Sequence, residues 1–500
     1  MAHVEPQPVR RPAAVALAAF GGFSLLIGTL LGPNEALAGA AVFIVAALLA
    51  MREMSTPTVT WPNAVAGFAL LIWLIPARGY RLPVSLPFNL ELYRIVLGAL
   101  LLALLVAVVR KRAKLEFLGF GIPLAILAGT ATLSAILNYQ DIGNAAVGDP
   151  GAFKSLSLYL GFLSVFVLVA ATIKTQAGLD TVVRGLVIGA TIVALSAIYE
   201  SRSGYNAFDH LAEWIPALIR EQRAVFTDRG GNLRVYASAQ HPIALSAALF
   251  MVFPLALYLI GRATTRLRAQ LWGVAAAVCA MGAVATISRT TVIMGVAILV
   301  VGLWVRGSQV LRFWPLLLIL PVAIHFAVPG ALGGIYKAFD PQEGLTSDLT
   351  TRSGETGSGR LADVGPGLRV WSESPLYGSG VGTQVTTGES GAAQTAEGAE
   401  GAIIFFDNEW LNTLVSLGVL GVLGMAWLIF GSLAVLGRFA RRMRGPRSDL
   451  AAACAAAIAA FGVSMLVFDA FAFVQSTILF FAIAAVGLQA RRLGPRPTDS

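Results

Sequence analysis

The chain has 500 residues, of which 57% are hydrophobic and only 13% charged, and its mean hydropathy is +0.75. That composition excludes an ordinary soluble domain and makes the bilayer the solvent to reason about. The formal net charge of +9 does not point to nucleic acid, because the basic residues lie in short clusters between apolar runs, as cytoplasmic loops do.

From the amino terminus, residues 1–12 read as a short tail. Arg10 and Arg11, an apolar stretch and Ala36-Leu37-Ala38 imitate a secretory signal with its cleavage site. The stretch is about twenty residues long and another follows at once, which fits an uncleaved helical hairpin better. Apolar segments are predicted at about 13–32, 36–51, 63–77, 91–109, 117–137, 155–173 and 180–200. They continue at about 241–260, 269–287, 290–305, 313–328, 408–436, 450–468 and 470–488. In hydrocarbon each must be helical, since lipid offers a backbone N–H or C=O no partner. The predicted fold is therefore all-α, a polytopic bundle of about 12–14 transmembrane helices. Its parts are helices in 13–200, an extracytoplasmic loop at 201–240, central helices in 241–328, a large extracytoplasmic loop at 329–407, helices in 408–488 and a tail at 489–500. Cys279 and Cys454 both fall inside apolar runs, so neither a disulfide framework nor a thiolate metal site is expected. No internal repeat is evident.

With the amino terminus in the cytoplasm, the inside loops receive Arg52, the Arg110-Lys111-Arg112-Lys114 cluster, Lys174, Arg262, Arg266, Arg268, Arg306 and Arg312. Arg438, Arg441, Arg442, Arg444, Arg447, Arg491, Arg492 and Arg496 fall on the same side. This bias predicts a multi-pass plasma-membrane (inner-membrane) protein with both termini cytoplasmic. In the large outer loop, the flanks 341–359 and 383–401 are rich in Gly, Ser, Thr and Glu. Between them Leu361, Val364, Leu368 and Trp371 recur at helical spacing before Pro375, which predicts a short amphipathic helix on the membrane surface. Gly365, Pro366 and Gly367 oppose that helix.

The informative arginines are those on the side where few are expected: Arg223, Arg229, Arg234, Arg289, Arg352, Arg360 and Arg369. An anionic ligand is one reason for them. Arg289 sits in Ile287-Ser288-Arg289-Thr290-Thr291, the only break between two apolar segments, and reads either as a ligand-binding guanidinium or as a snorkelling anchor for the turn. Arg234 stands shortly before a helix, where it either reinforces the positive helix end as an anion site or is merely solvated. His241 at the start of that helix reads as a base or as a structural residue. Arg360 and Arg369 bracket the surface helix and suit a lipid phosphate, or bind anionic headgroups without specificity. Asp407, where the large loop returns to the bilayer, reads as a base, as a partner for an arginine, or as a helix cap. No phosphate-loop pattern, dinucleotide fingerprint or metal-spaced His/Cys cluster is present. Any donor would have to arrive already activated, on the outer side.

Four stretches in order resemble the O-antigen ligase and polymerase superfamily. They are Arg234 to Pro242; Ser288-Arg289-Thr290; Arg360 with Trp371-Ser372-Glu373-Ser374-Pro375-Leu376-Tyr377-Gly378-Ser379-Gly380; and Asp407-Asn408-Glu409-Trp410-Leu411 leading to Leu417-Gly418-Val419-Leu420-Gly421. The resemblance covers about residues 220–430. It implies a metal-independent, cofactor-free glycosyltransferase acting in cell-envelope polysaccharide assembly. Its donor would be a polyprenyl-diphosphate-linked glycan, its acceptor a glycan or lipid hydroxyl, and its active site extracytoplasmic. By the same resemblance Arg234, Arg289 and Arg360 would engage the donor diphosphate, while Arg369 has no firm counterpart. The family's fourth motif carries a His where this chain has Asp407, so Asp407 is expected as the base, or the chain is a noncatalytic relative. A flippase or transporter of a lipid-linked or anionic solute is the competing reading, although the inverted repeats common among transporters are not seen.

Overall fold

Apolar stretches near twenty residues become helices here because only the helix satisfies its own backbone groups in lipid. The computed structural model describes residues 60–83, 90–139, 151–221, 234–310, 364–381 and 407–494, with single positions 322, 333 and 336 between them. In chain order the helices are α1 (Trp61–Leu74), α2 (Leu92–Val109), α3 (Gly121–Leu137), α4 (Gly151–Thr172), α5 (Gln176–Ser203), α6 (Pro242–Arg262), α7 (Arg266–Ala285) and α8 (Arg289–Val310). After them come α9 (Val364–Glu373), α10 (Glu409–Ala426), α11 (Ser432–Arg442), α12 (Pro446–Ser464) and α13 (Val474–Arg492). A π-helical turn, Trp427–Gly431, joins α10 to α11 into one long span. Among the described residues nine helices are long and apolar enough to cross a membrane, and α1 and α3 are shorter apolar helices. The all-α polytopic architecture expected from the sequence is thus present. The segments expected at 13–32 and 36–51, and nearly all of 313–328, lie outside the described residues.

The described helices alternate in direction. One end of the bundle gathers the starts of α2, α4, α6, α8, the joined α10–α11 span and α13, and the other gathers their ends. α13 is almost wholly buried and α6 and α12 mostly so, whereas α2 is the least buried of the candidate spans. Small residues permit the close approach: a Cβ on Gly282 of α7 would stand 2.8 Å from the Ala194 Cβ of α5. With lipid as apolar as the core, such packing contributes what water exclusion contributes elsewhere. Two short strands, β1 (Tyr80–Arg81) and β2 (Ile219–Arg220), pair antiparallel and tie the loop after α1 to the loop after α5. Two-residue strands carry no readable period, so the sequence did not announce them.

The second end carries the clustered basic residues, and several have structural partners. Arg306 lies within the α8 helix rather than in a loop, at a local kink, and is buried. It bonds the Ala440 carbonyl, Ser448 Oγ at 2.5 Å and Asp449 Oδ1 at 3.0 Å, joining α8 to α11 and α12. Asp180 of α5 accepts from Tyr258 Oη at 2.5 Å and Arg262 Nη2 at 3.1 Å of α6.

The amphipathic helix expected before Pro375 is present as α9, with a different face buried. Val370 and Trp371 pack on the cluster of Leu411 and Val415 of α10, while Leu368 is exposed. The chain then crosses α10 at a break, where Gly418 has φ 66° and ψ −167°. The freed backbone groups are taken up by residues 375–380. Ser379 N donates to Val415 O at 2.8 Å, Gly380 N to Ser416 O at 3.1 Å, and Val419 N to Pro375 O at 2.9 Å. From α3, Ser134 Oγ donates to Ser416 O at 3.0 Å and Asn138 Nδ2 to Gly378 O at 3.1 Å. A Cβ on Gly378 would meet the Ser416 backbone at 2.4 Å, and one on Gly418 the Leu376 backbone at 2.3 Å. Both glycines also have positive φ. Gly378→Ala or Gly418→Ala is therefore expected to destabilise the fold by about 3 kcal/mol or more. Gly98→Ala, with open space around its Cβ, should be neutral or slightly stabilising. Folded yield and thermal unfolding in detergent compare the three.

Candidate functional site at the polar end of the bundle

The polar end is built from segments that cap or precede helices. Residues 234–241 lead into α6, and their backbone is held by α5: Glu200, itself buried, accepts from Tyr236 N at 3.3 Å and Ala237 N at 2.8 Å. Asn206 Nδ2 donates to Ala237 O at 3.0 Å, and Tyr236 Oη to Asp209 Oδ2 at 2.7 Å. Arg234, half-buried at the start of this segment, is thus carried on a fixed backbone. His241 caps α6, its Nδ1 accepting the Ile243 N–H at 3.1 Å, with its ring 5.8 Å from that of Phe473. That hydrogen bond occupies the Nδ1 lone pair and fixes the ring at the start of α6.

Arg289 is the first residue of α8 and is buried. The turn before it is unusual: Ile287 has φ 49°, and Ser288, Thr290 and Thr291 are all buried with it. Thr291 Oγ1 is 2.6 Å from Ser246 Oγ, which locks the start of α8 against α6, the helix that Arg234 precedes. A guanidinium taken out of water at the positive end of a helix raises the local positive potential twice over, and an anion offsets both.

Asp407 is half-buried just before α10. The cap of α10 is Asn408, whose Oδ1 accepts from Trp410 N at 3.0 Å and Leu411 N at 3.3 Å. Asp407 is therefore not the cap. Glu409 follows, buried, its N–H on Met465 O at 2.8 Å and its Oε2 accepting from Phe471 N at 2.8 Å. The start of α10 thus rests on the α12–α13 turn. The residues that follow on that turn reach the 234–241 segment: Val474 N donates to Gln240 Oε1 at 2.9 Å, and Gln475 Nε2 to Ser238 Oγ at 3.2 Å. Arg234, His241, Arg289 and Asp407 are accordingly gathered at one end of the bundle. Arg369 lies on the exposed side of α9, away from the Val370 and Trp371 contact with α10. Arg360 lies outside the described residues.

Three groups at this end were not singled out in the sequence. Asp469, buried on the α12–α13 turn, hydrogen-bonds Glu409 and Asn412 and feels the charge of Arg78. Arg78 follows α1 with φ 56°, its N–H donating to Glu91 Oε2 at 2.7 Å. Arg78 breaks the orientation rule just as Arg234 does, and that was the signal for it. Asp469 is a single acid between two apolar runs, and Glu200 an acid near the end of one. Intramembrane acids are the corresponding signal.

Residues 274–426, from α7 through α10, match the model of the O-antigen ligase family. No curated protein matches the chain. The fold and the polar end define a polytopic helical membrane protein with buried cationic and acidic groups at one end. The family match supports its placement in the O-antigen ligase superfamily, with a membrane glycosyltransferase-like role in polysaccharide assembly. The matched region includes Arg289, Arg360, Arg369 and Asp407; Arg234 and His241 precede it.

Burial pushes the Asp469 carboxyl above its ordinary 3.8, against the opposing pull of its hydrogen bonds and of Arg78. A carboxyl raised on folding contributes stability that is complete below 3.8 and is lost as pH rises through the folded value. Asp469→Asn stays uncharged, so it should lose less stability toward neutral pH than the wild type. Thermal unfolding in detergent from acid to neutral pH checks this, and parallel wild-type and variant curves would refute it.

Proposed function

We propose that the protein transfers a glycan from a polyprenyl-diphosphate carrier to a hydroxyl acceptor at the outer face of the plasma membrane, in cell-envelope polysaccharide assembly. The observation that carries this reading is the buried Arg289 at the positive end of α8, inside the region that matches the O-antigen ligase family. The basic short loops at the opposite end support the orientation, with both termini cytoplasmic.

In this reading an acceptor oxygen attacks the anomeric carbon, the bond from that carbon to the diphosphate oxygen breaks, and the lipid diphosphate leaves with both electrons. Arg289, Arg234 and Arg360 hold the charge that grows on the diphosphate. Guanidinium suits this task because it stays charged and donates two parallel hydrogen bonds to phosphate oxygens. Fixed donors in a water-poor site need no reorganisation as the charge develops. Asp407, standing where the family's motif carries a His, takes the proton of the acceptor hydroxyl. His241 and Arg369 contribute to substrate binding.

Purified protein supplied with a polyprenyl-diphosphate glycan and a cell-envelope acceptor in detergent, with neither nucleotide nor added metal, should transfer the glycan. Arg289→Ala should lower turnover by about 10²–10³-fold, with a comparable loss for Arg360→Ala. Undiminished transfer by both variants would remove the diphosphate site. Asp407→Asn is expected to reduce kcat more than donor affinity, and equal losses in the two would count against a base at this position.

A further inference from the structure

At the end of the bundle away from Arg289, a cavity of about 720 Å³ opens between the α2–α3 loop and the ends of α11 and α13. We propose that it binds the headgroup of an anionic phospholipid. The argument starts from charge. Arg438, Arg442, Arg491 and Arg492 line the cavity together with a single carboxylate, Glu116. That carboxylate is already matched, by Lys174 Nζ at 2.7 Å and by Arg492. Among the described residues no carboxylate pairs with Arg438, Arg442 or Arg491. The carbonyl ends of α11 and α13 offer each about half an elementary negative charge, which leaves the cavity positive by roughly two.

The walls and the position select a lipid over a soluble anion. Phe117, Leu118, Val435 and Phe439 face the same space, and Leu115 and Phe117 on the loop are exposed. The arginines stand where the apolar spans α11 and α13 end, which is the depth of a headgroup, with room above apolar side chains for the first acyl carbons. A cavity of this size is in the range of sites for small organic molecules, far larger than a bare phosphate requires. Basic recesses between membrane helices hold anionic headgroups by this combination of guanidinium and apolar wall.

The test uses the full chain in nanodiscs of phosphatidylglycerol in phosphatidylcholine, with lipid retained after transfer to detergent read by native mass spectrometry. Wild type should retain phosphatidylglycerol in preference to phosphatidylcholine, and inorganic phosphate at equal concentration should not release it. Combined Arg438→Gln, Arg442→Gln and Arg491→Gln should weaken retention about a hundredfold, at about 1 kcal/mol for each arginine. Lys111→Gln with Lys114→Gln, exposed at the same end but outside the cavity, should retain lipid as wild type does. Four results would each overturn the proposal: equal retention of the two lipids by wild type, release by inorganic phosphate, undiminished binding by the arginine variant, or an equal loss in the lysine variant. The wild-type selectivity stands as evidence even if the arginine variant does not fold.

Discussion

A helix that breaks inside a membrane must find partners for the backbone groups it frees, because lipid supplies none. α10 breaks at Gly418, and the turn and loop at 375–380 provide those partners through main-chain bonds on both sides of the break. Two glycines make this possible, since each chain passes where a Cβ of the other would stand. The consequence reaches the polar end. α9, which carries Arg369, is held against α10, and α10 begins at Glu409, two residues after Asp407, so α9 is tied directly to the helix that Asp407 precedes.

Acidic side chains at that end act first as scaffolding. Glu200 fixes the backbone that carries Arg234, and Glu409 with Asp469 fixes the start of α10 to the α12–α13 turn. A buried carboxyl is costly unless its oxygens are hydrogen-bonded, and in each case backbone N–H groups meet that need. Arginine-bearing segments are thereby placed by groups that are themselves well satisfied. The opposite end divides its cations differently. Arg306 and Arg262 are spent on joining helices, while Arg438, Arg442 and Arg491 face a cavity. One compositional signal, clustered arginine, thus covers topology, structure and a candidate lipid site.

Much of the architecture could be read before any coordinates. Apolar length placed the described spans, α1 to α8 and α10 to α13, to within one or two helical turns, because the bilayer imposes both length and helicity. The amphipathic helix at Trp371 was foreseen with its stop at Pro375, although its buried face was not. Periodicity counts apolar side chains, whereas α9 turns Gly367 and Val370 toward α10, and a glycine contributes to contact without contributing to hydropathy.

The sequence by itself determined that the chain is a helical membrane protein and where its described helices run, because those follow from local composition and from the energetics of a two-phase solvent. Tertiary structure alone decided that Asn408 and not Asp407 caps α10, that His241 spends one ring nitrogen on a helix cap, that Arg306 is a buried strut, and that Asp469 and Arg78 stand together. The two caps turn on the local geometry at each helix start, whereas the Arg306 strut and the charge of Arg78 at Asp469 depend on which distant segment packs alongside. Pairing across hundreds of residues leaves no periodic trace in the chain that makes it.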